Sequence, residues 1–106
     1  MDLTEQLSVI KACFPDSQIE TETGEHGTRI LVHQFLAIEP VPFTKKRIGS
    51  SVVISGWQAT LDNGEDCEYL YEGPNFWAAV KEMASCLAMW KIDQVKDKVD
   101  PCLVPN

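Results

Sequence analysis

The sequence predicts an α+β fold: a four-stranded antiparallel meander sheet flanked by an N-terminal helix and a longer C-terminal helix, in the order α-β-β-β-β-α. Three observations carry this prediction. Apolar residues recur at helical spacing near both ends of the chain, the middle alternates and is rich in β-branched residues, and Asn63-Gly64 is the strongest short hairpin signal. Packing both helices on one face of the sheet is the economical way to bury these patterns together.

Leu3, Leu7, Ile10 and Phe14 fall at i, i+4, i+7 and i+11, one face of a helix from about Leu3 to Cys13, which Pro15 stops. Ser17 to Thr23 alternates and reads as a short polar strand. Gly24-Glu25-His26-Gly27 reads as a turn. Thr28 to Glu39 is the strongest strand signal, ended by Pro40-Val41-Pro42. A loop of about ten residues is expected next, passing through Phe43 and the basic run Lys45-Lys46-Arg47 to Gly49-Ser50. Ser51 to Leu61 and Asp66 to Glu72 form the hairpin around Asn63-Gly64. Gly73-Pro74-Asn75 then breaks the sheet, with Asn75 as the N-cap of the last helix. Phe76, Ala79, Val80, Met83, Leu87 and Trp90 mark the apolar stripe of that helix, to about Lys98. Residues 1–100 are read as one domain and 101–106, with Pro101 and Pro105, as a short tail.

With 106 residues there is room for one core, and 44% hydrophobic with 24% charged residues is a globular balance rather than a disordered one. Nine Lys and Arg against sixteen Asp and Glu give a net charge of −7. Such a chain repels phosphates, which argues against nucleic acid as a partner and for a basic protein. The order helix–strands–helix is similar to that of double-stranded-RNA-binding domains. Where those place lysines at the start of the last helix, this chain has Asn75-Phe76-Trp77-Ala78. No stretch is apolar enough to span a membrane, and Met1-Asp2-Leu3-Thr4-Glu5 lacks the basic start of a signal peptide. The expected location is the cytoplasm, with Cys13, Cys67, Cys86 and Cys102 as free thiols.

No catalytic, metal or cofactor site is predicted. The cysteines and histidines have no zinc-ligand spacing. Asp62-Asn63-Gly64-Glu65-Asp66 lacks the spacing of a calcium loop. Neither a G-x-S-x-G elbow nor a Gly-rich phosphate cradle is present, and His33 reads as a structural residue in an apolar strand.

The informative segment is the second hairpin. If Asn63-Gly64 is a two-residue turn, Leu61, Ala59, Trp57 and Ser55 oppose Asp66, Glu68, Leu70 and Glu72 on one face. The other face pairs Thr60, Gln58 and Gly56 with Cys67, Tyr69 and Tyr71, and Tyr71 would cover Gly56. The second face is free of charge, so it is expected to meet the helices. That leaves Trp57, Leu61 and Leu70 among Asp66, Glu68 and Glu72 on a helix-free face. Three coverings of that face remain open: the 40–50 loop or the tail, a second copy in a homodimer, or a different protein anchored on Trp57. Phe43, Lys45, Lys46 and Arg47 form a second candidate contact in the long loop.

The function expected is that of a small acidic interaction protein without enzymatic activity. Its leading form is an inhibitor or adaptor of phage or mobile-element type that binds a basic protein. The alternative is a dimeric secretion-type chaperone that cradles an unfolded segment.

Overall fold

In the computed structural model, residues 1–62 and 64–98 are described. Asp2 opens the first helix with a capping box: its Oδ1 accepts from the Glu5 amide at 2.8 Å, and the Glu5 side chain accepts from the Asp2 amide at 3.5 Å. The helix, α1 (Leu3–Cys13), buries Ile10 and is followed by buried Phe14.

Five strands follow, β1 (Ile19–Gly24), β2 (Gly27–Val32), β3 (Leu36–Arg47), β4 (Ser50–Asp62) and β5 (Cys67–Gly73). They form one antiparallel sheet in which strand order equals chain order. The fold is thus α+β with an antiparallel sheet and two helices, but the sheet has five strands rather than four. The extra strand arises at His33 and Gln34, which take φ of 54° and 68° and turn the predicted 28–39 strand back on itself. Left-handed backbone is uncommon without glycine, so the apolar run gave no sign of a turn there. The His33 amide donates to the Gln18 carbonyl at 2.9 Å, and the Asp62 amide donates to the Phe35 carbonyl at 2.8 Å. These two bonds tie the turn to its neighbours.

The expected 40–50 loop is also absent. β3 continues through Pro40 and Pro42 to Arg47 and returns as β4 through Ile48-Gly49, with Gly49 at φ 77°. Prolines interrupt a strand only where their missing N–H would have a partner. β2 pairs with β3 no further than Ile38, so both prolines sit where β3 has no neighbour on that side. Pro40 itself limits β2, since a Cβ on Gly27 would lie 2.8 Å from the proline ring.

The β4–β5 register also departs from the two-residue turn. Asp62 pairs with Cys67, Leu61 with Glu68 and Thr60 with Tyr69; a bulge follows, after which Ala59 pairs with Tyr71 and Trp57 with Gly73. Asn63 of the expected turn, and the tail 101–106 with Cys102, lie outside the described residues. Tyr71 does not lie over Gly56. Its hydroxyl accepts from the Asn75 amide at 3.0 Å, and a Cβ on Gly73 would meet it at 2.7 Å.

Asn75 caps the last helix, α2 (Phe76–Lys98), its Oδ1 accepting from the amides of Trp77 and Ala78 at 3.0 and 3.2 Å. Ile30, Val32, Leu36, Ile38 and Ala59 share one sheet face. They form a single buried cluster with Ile10 of α1, with Phe14 just after it, and with Phe76, Ala79, Val80, Met83 and Leu87 of α2. Among the described residues no helix is long and apolar enough to cross a membrane.

Candidate functional site

For Trp57, Leu61, Glu68 and Leu70 the hairpin faces are exchanged relative to the sequence expectation, whereas Glu72 stays on the helix-free face and Tyr71 on the helix side, as expected. Trp57 packs on Phe76 of α2 with ring centroids 4.8 Å apart, and Trp57, Leu61 and Leu70 all lie against the buried cluster. The face turned away carries Gln58, Thr60 and Tyr69 of the set expected to be charge-free, but the bulge after Thr60–Tyr69 puts Glu72 on it and turns Tyr71 to the buried cluster. Absence of charge was a poor guide because Tyr69 tolerates exposure, Thr60 is buried although it faces away from the cluster, and Glu68 sits on an edge strand where its carboxylate reaches water. Trp57 is therefore a packing residue, not an exposed anchor.

Leu61, Glu68 and Leu70 nevertheless come together in a concavity, a groove of about 680 Å³ between the sheet and the second half of α2. Phe35, Leu61, Leu70, Met89 and Trp90 give it apolar walls, and Asp62, Glu68, Glu82 and Asp93 supply carboxylates around them. Trp90 is held in place by the strained turn: its ring lies 5.1 Å from His33 and 5.3 Å from Phe35, with His33 and Phe35 5.3 Å apart. The same three rings, with Asp16, Gln18 and Gln34, line a second concavity of about 410 Å³ on the other side. Sequence reasoning missed Phe35, Glu82, Met89, Trp90 and Asp93. Trp90 follows the core stripe but stays 39% exposed, and Met89, Ile92 and Val95 are exposed beside it. The signal was present as apolar residues in excess of one helical face.

Cys86 and Ser85 are the groove's remaining polar side chains. Burial pushes the Cys86 thiol above its ordinary value, and Glu68 pushes it in the same direction. A nucleophilic thiol needs the opposite shift. The histidines stand elsewhere, His33 behind the turn and His26 beside Pro40 and Pro42. Cys13 and Cys67 are free and exposed. Among the described residues no group of three or more His, Cys, Asp or Glu is placed to hold a metal ion.

The other predicted residues are not in the groove. Asp66 is exposed just before β5, and Glu72 is exposed on the sheet face away from the buried cluster, paired in register with Gln58. Phe43 lies half-buried on the same outer face, and Lys45 and Lys46 are exposed near the end of the β3–β4 hairpin, where Arg47 pairs with Ser50. Beyond Ile38 on β3 and Trp57 on β4 this hairpin has no strand on either side, so it stands out as a two-stranded arm. Its nine β3 residues from 39 to 47 reach roughly 30 Å at ~3.3 Å per residue. The arm accounts for part of the 61 × 31 × 26 Å extents.

Charge follows this shape. Residues 40–61 contain three basic and no acidic residues, leaving six basic against sixteen acidic, or −10, for the rest of the chain. The molecule is a basic-tipped arm on an acidic body. No protein-family model, no curated protein and no solved structure matches the chain.

Proposed function

We propose that this protein acts by binding rather than catalysis, and that its groove receives a segment of a basic protein in which Lys or Arg flanks an apolar side chain. The observation that carries this reading is the pairing of apolar walls with four carboxylates, Asp62, Glu68, Glu82 and Asp93, in one groove of about 680 Å³. That volume lies within the range of ligand sites, and walls of Phe, Leu, Met and Trp reward an apolar anchor. The carboxylates favour a cationic partner and speed its encounter, in keeping with the net charge of −7. A thiol with a raised pKa and no histidine among the lining residues supports binding over nucleophilic chemistry. An inhibitor or adaptor of phage or mobile-element type that docks on a basic protein remains the leading form of this proposal, and a cytoplasmic setting is part of it.

A chaperone for unfolded segments is the second reading, favoured by the exposed Met89, Ile92 and Val95 that extend the apolar wall along α2. Calorimetric titration separates the two. The proposal expects a short peptide with Lys residues around one leucine to bind, with affinity falling about tenfold in Glu82→Lys/Asp93→Lys and falling again in high salt. A neutral peptide of the same apolar content that binds equally well, with no salt dependence, selects the chaperone reading. Binding of neither peptide removes the groove as the functional site.

A further inference from the structure

The arm leaves a problem that the groove does not solve. Isolated two-stranded hairpins are marginal in water, yet β3 and β4 run on together well past the last pairing of their neighbours. Alternation along these strands sorts their side chains. Val41, Phe43, Val52 and Ile54 share the outer face, the one away from the buried cluster, with Phe43 directly opposite Ile54 and Val41 opposite Gly56. Gly56 matters here, because a Cβ at that position would lie 2.9 Å from the Phe43 Cβ; the glycine lets the phenylalanine side chain sit close over the ribbon. Lys45 ends this apolar stripe toward the tip, opposite Val52. At the body end of the same face stand Glu39 and Glu72, both paired in register with Gln58, beside Thr60 and Tyr69; Tyr69 is 66% exposed.

The outer face therefore reads basic at one end, apolar along the arm and acidic at the other end. A surface with that sequence of properties is complementary to itself when turned end for end. We propose that the outer face pairs with the outer face of a second copy, the two arms antiparallel about a two-fold axis. Such an interface is isologous, so every contact is made twice. The apolar stripe of each arm is buried against the other, and each Lys45 lies over the partner body, where Glu39 and Glu72 are. The pairing covers the part of the sheet that has no other cover, and it sets the basic tip against the acidic body instead of leaving like charges to meet. It does not use the groove, which lies toward α2 on the other side of the sheet, so a dimer presents two grooves outward.

The experiment is sedimentation equilibrium of the full chain at low and moderate salt, with a melting curve for every variant. The parent should be a dimer. Lys45→Glu and Glu39→Lys/Glu72→Lys should each raise the dimer dissociation constant about tenfold, because like charges then face each other across the axis. Mixing these two variants should restore the parent affinity, since in the mixed dimer both contacts again pair opposite charges. Phe43→Glu should be monomeric. Should it fail to fold, the exposed Lys45 variant and the mixing measurement decide alone. A parent that stays monomeric at hundreds of micromolar overturns the proposal, as does a mixture no tighter than its components. A monomeric parent that shifts duplex DNA through Lys45 also overturns it, assigning the arm to nucleic acid instead. Titration of the lysine-leucine peptide into Lys45→Glu should match the parent, so loss of the dimer and loss of groove binding are read separately.

Discussion

Individual residues show where this chain is held and where it is strained. Met83 is fully buried at the centre of the cluster, so Met83→Asp places an unpaired charge among apolar groups and should leave the protein unfolded by circular dichroism. Trp57→Ala removes the ring that faces Phe76 and should cost about 3 kcal/mol in urea denaturation, with binding and association changed only through that loss. Gln34 is the opposite case. Its left-handed backbone disfavours any side chain by about 1 kcal/mol, and its own side chain is exposed, so Gln34→Gly should raise the melting temperature slightly despite glycine's larger unfolded entropy. Cys86 carries a pH signature. Its folded pKa lies above the ordinary value of 9.0, so the unfolded chain loses the proton first. The contribution to stability is whole below pH 9.0 and declines as pH rises above it. At neutral pH a thiol reagent should label Cys13 and Cys67 well before Cys86, and equal rates would contradict the shift.

At the scale of elements, α1, α2 and the Asn75 cap were legible because helical spacing and capping are local properties of the residues concerned. Three features were not. The turn at His33-Gln34 is built from residues that seldom turn and is secured by bonds to Gln18 and Asp62, distant in sequence. The arm hides behind Pro40 and Pro42, which break central strands but are harmless on an edge that only the tertiary arrangement creates. The bulge at Leu70 decoupled the predicted pairing from the observed one, although side chains beyond the turn kept their parity as far as Thr60–Tyr69. Of the candidate site, Leu61, Glu68 and Leu70 were identified for the wrong face, and the α2 contribution was invisible because its stripe looked like core throughout. That helix has two distinct halves: residues 76–87 include every buried position, and 88–98 include none. Hydrogen exchange should accordingly show strong protection up to Leu87 and rapid exchange beyond Trp90 in the free protein. Occupation of the groove by the lysine-leucine peptide should slow exchange around Met89 and Asp93.

For the whole molecule, the order of its strands has a consequence for how it forms. Every pairing in the sheet joins strands adjacent in the chain, so each is a hairpin closed over a short loop, and no crossover has to be threaded. Loop closure of this kind is entropically cheap, and folds rich in such contacts acquire their structure quickly. The long-range events are the additions of the chain's two ends to the sheet, which bring Ile10 and Phe14 into one buried cluster with Met83 and Leu87. The sheet can therefore be in place before the helices pack on it. In stopped-flow measurements Met83→Ala should chiefly accelerate unfolding and barely slow refolding, whereas Ile38→Val, within the central hairpins, should slow refolding. The reverse partition would mean that helix docking nucleates the fold. With the sheet first, newly made chain would present its outer face while its helices are still unpacked, so that, if two copies pair through that face as proposed, their encounter could begin before either core is complete.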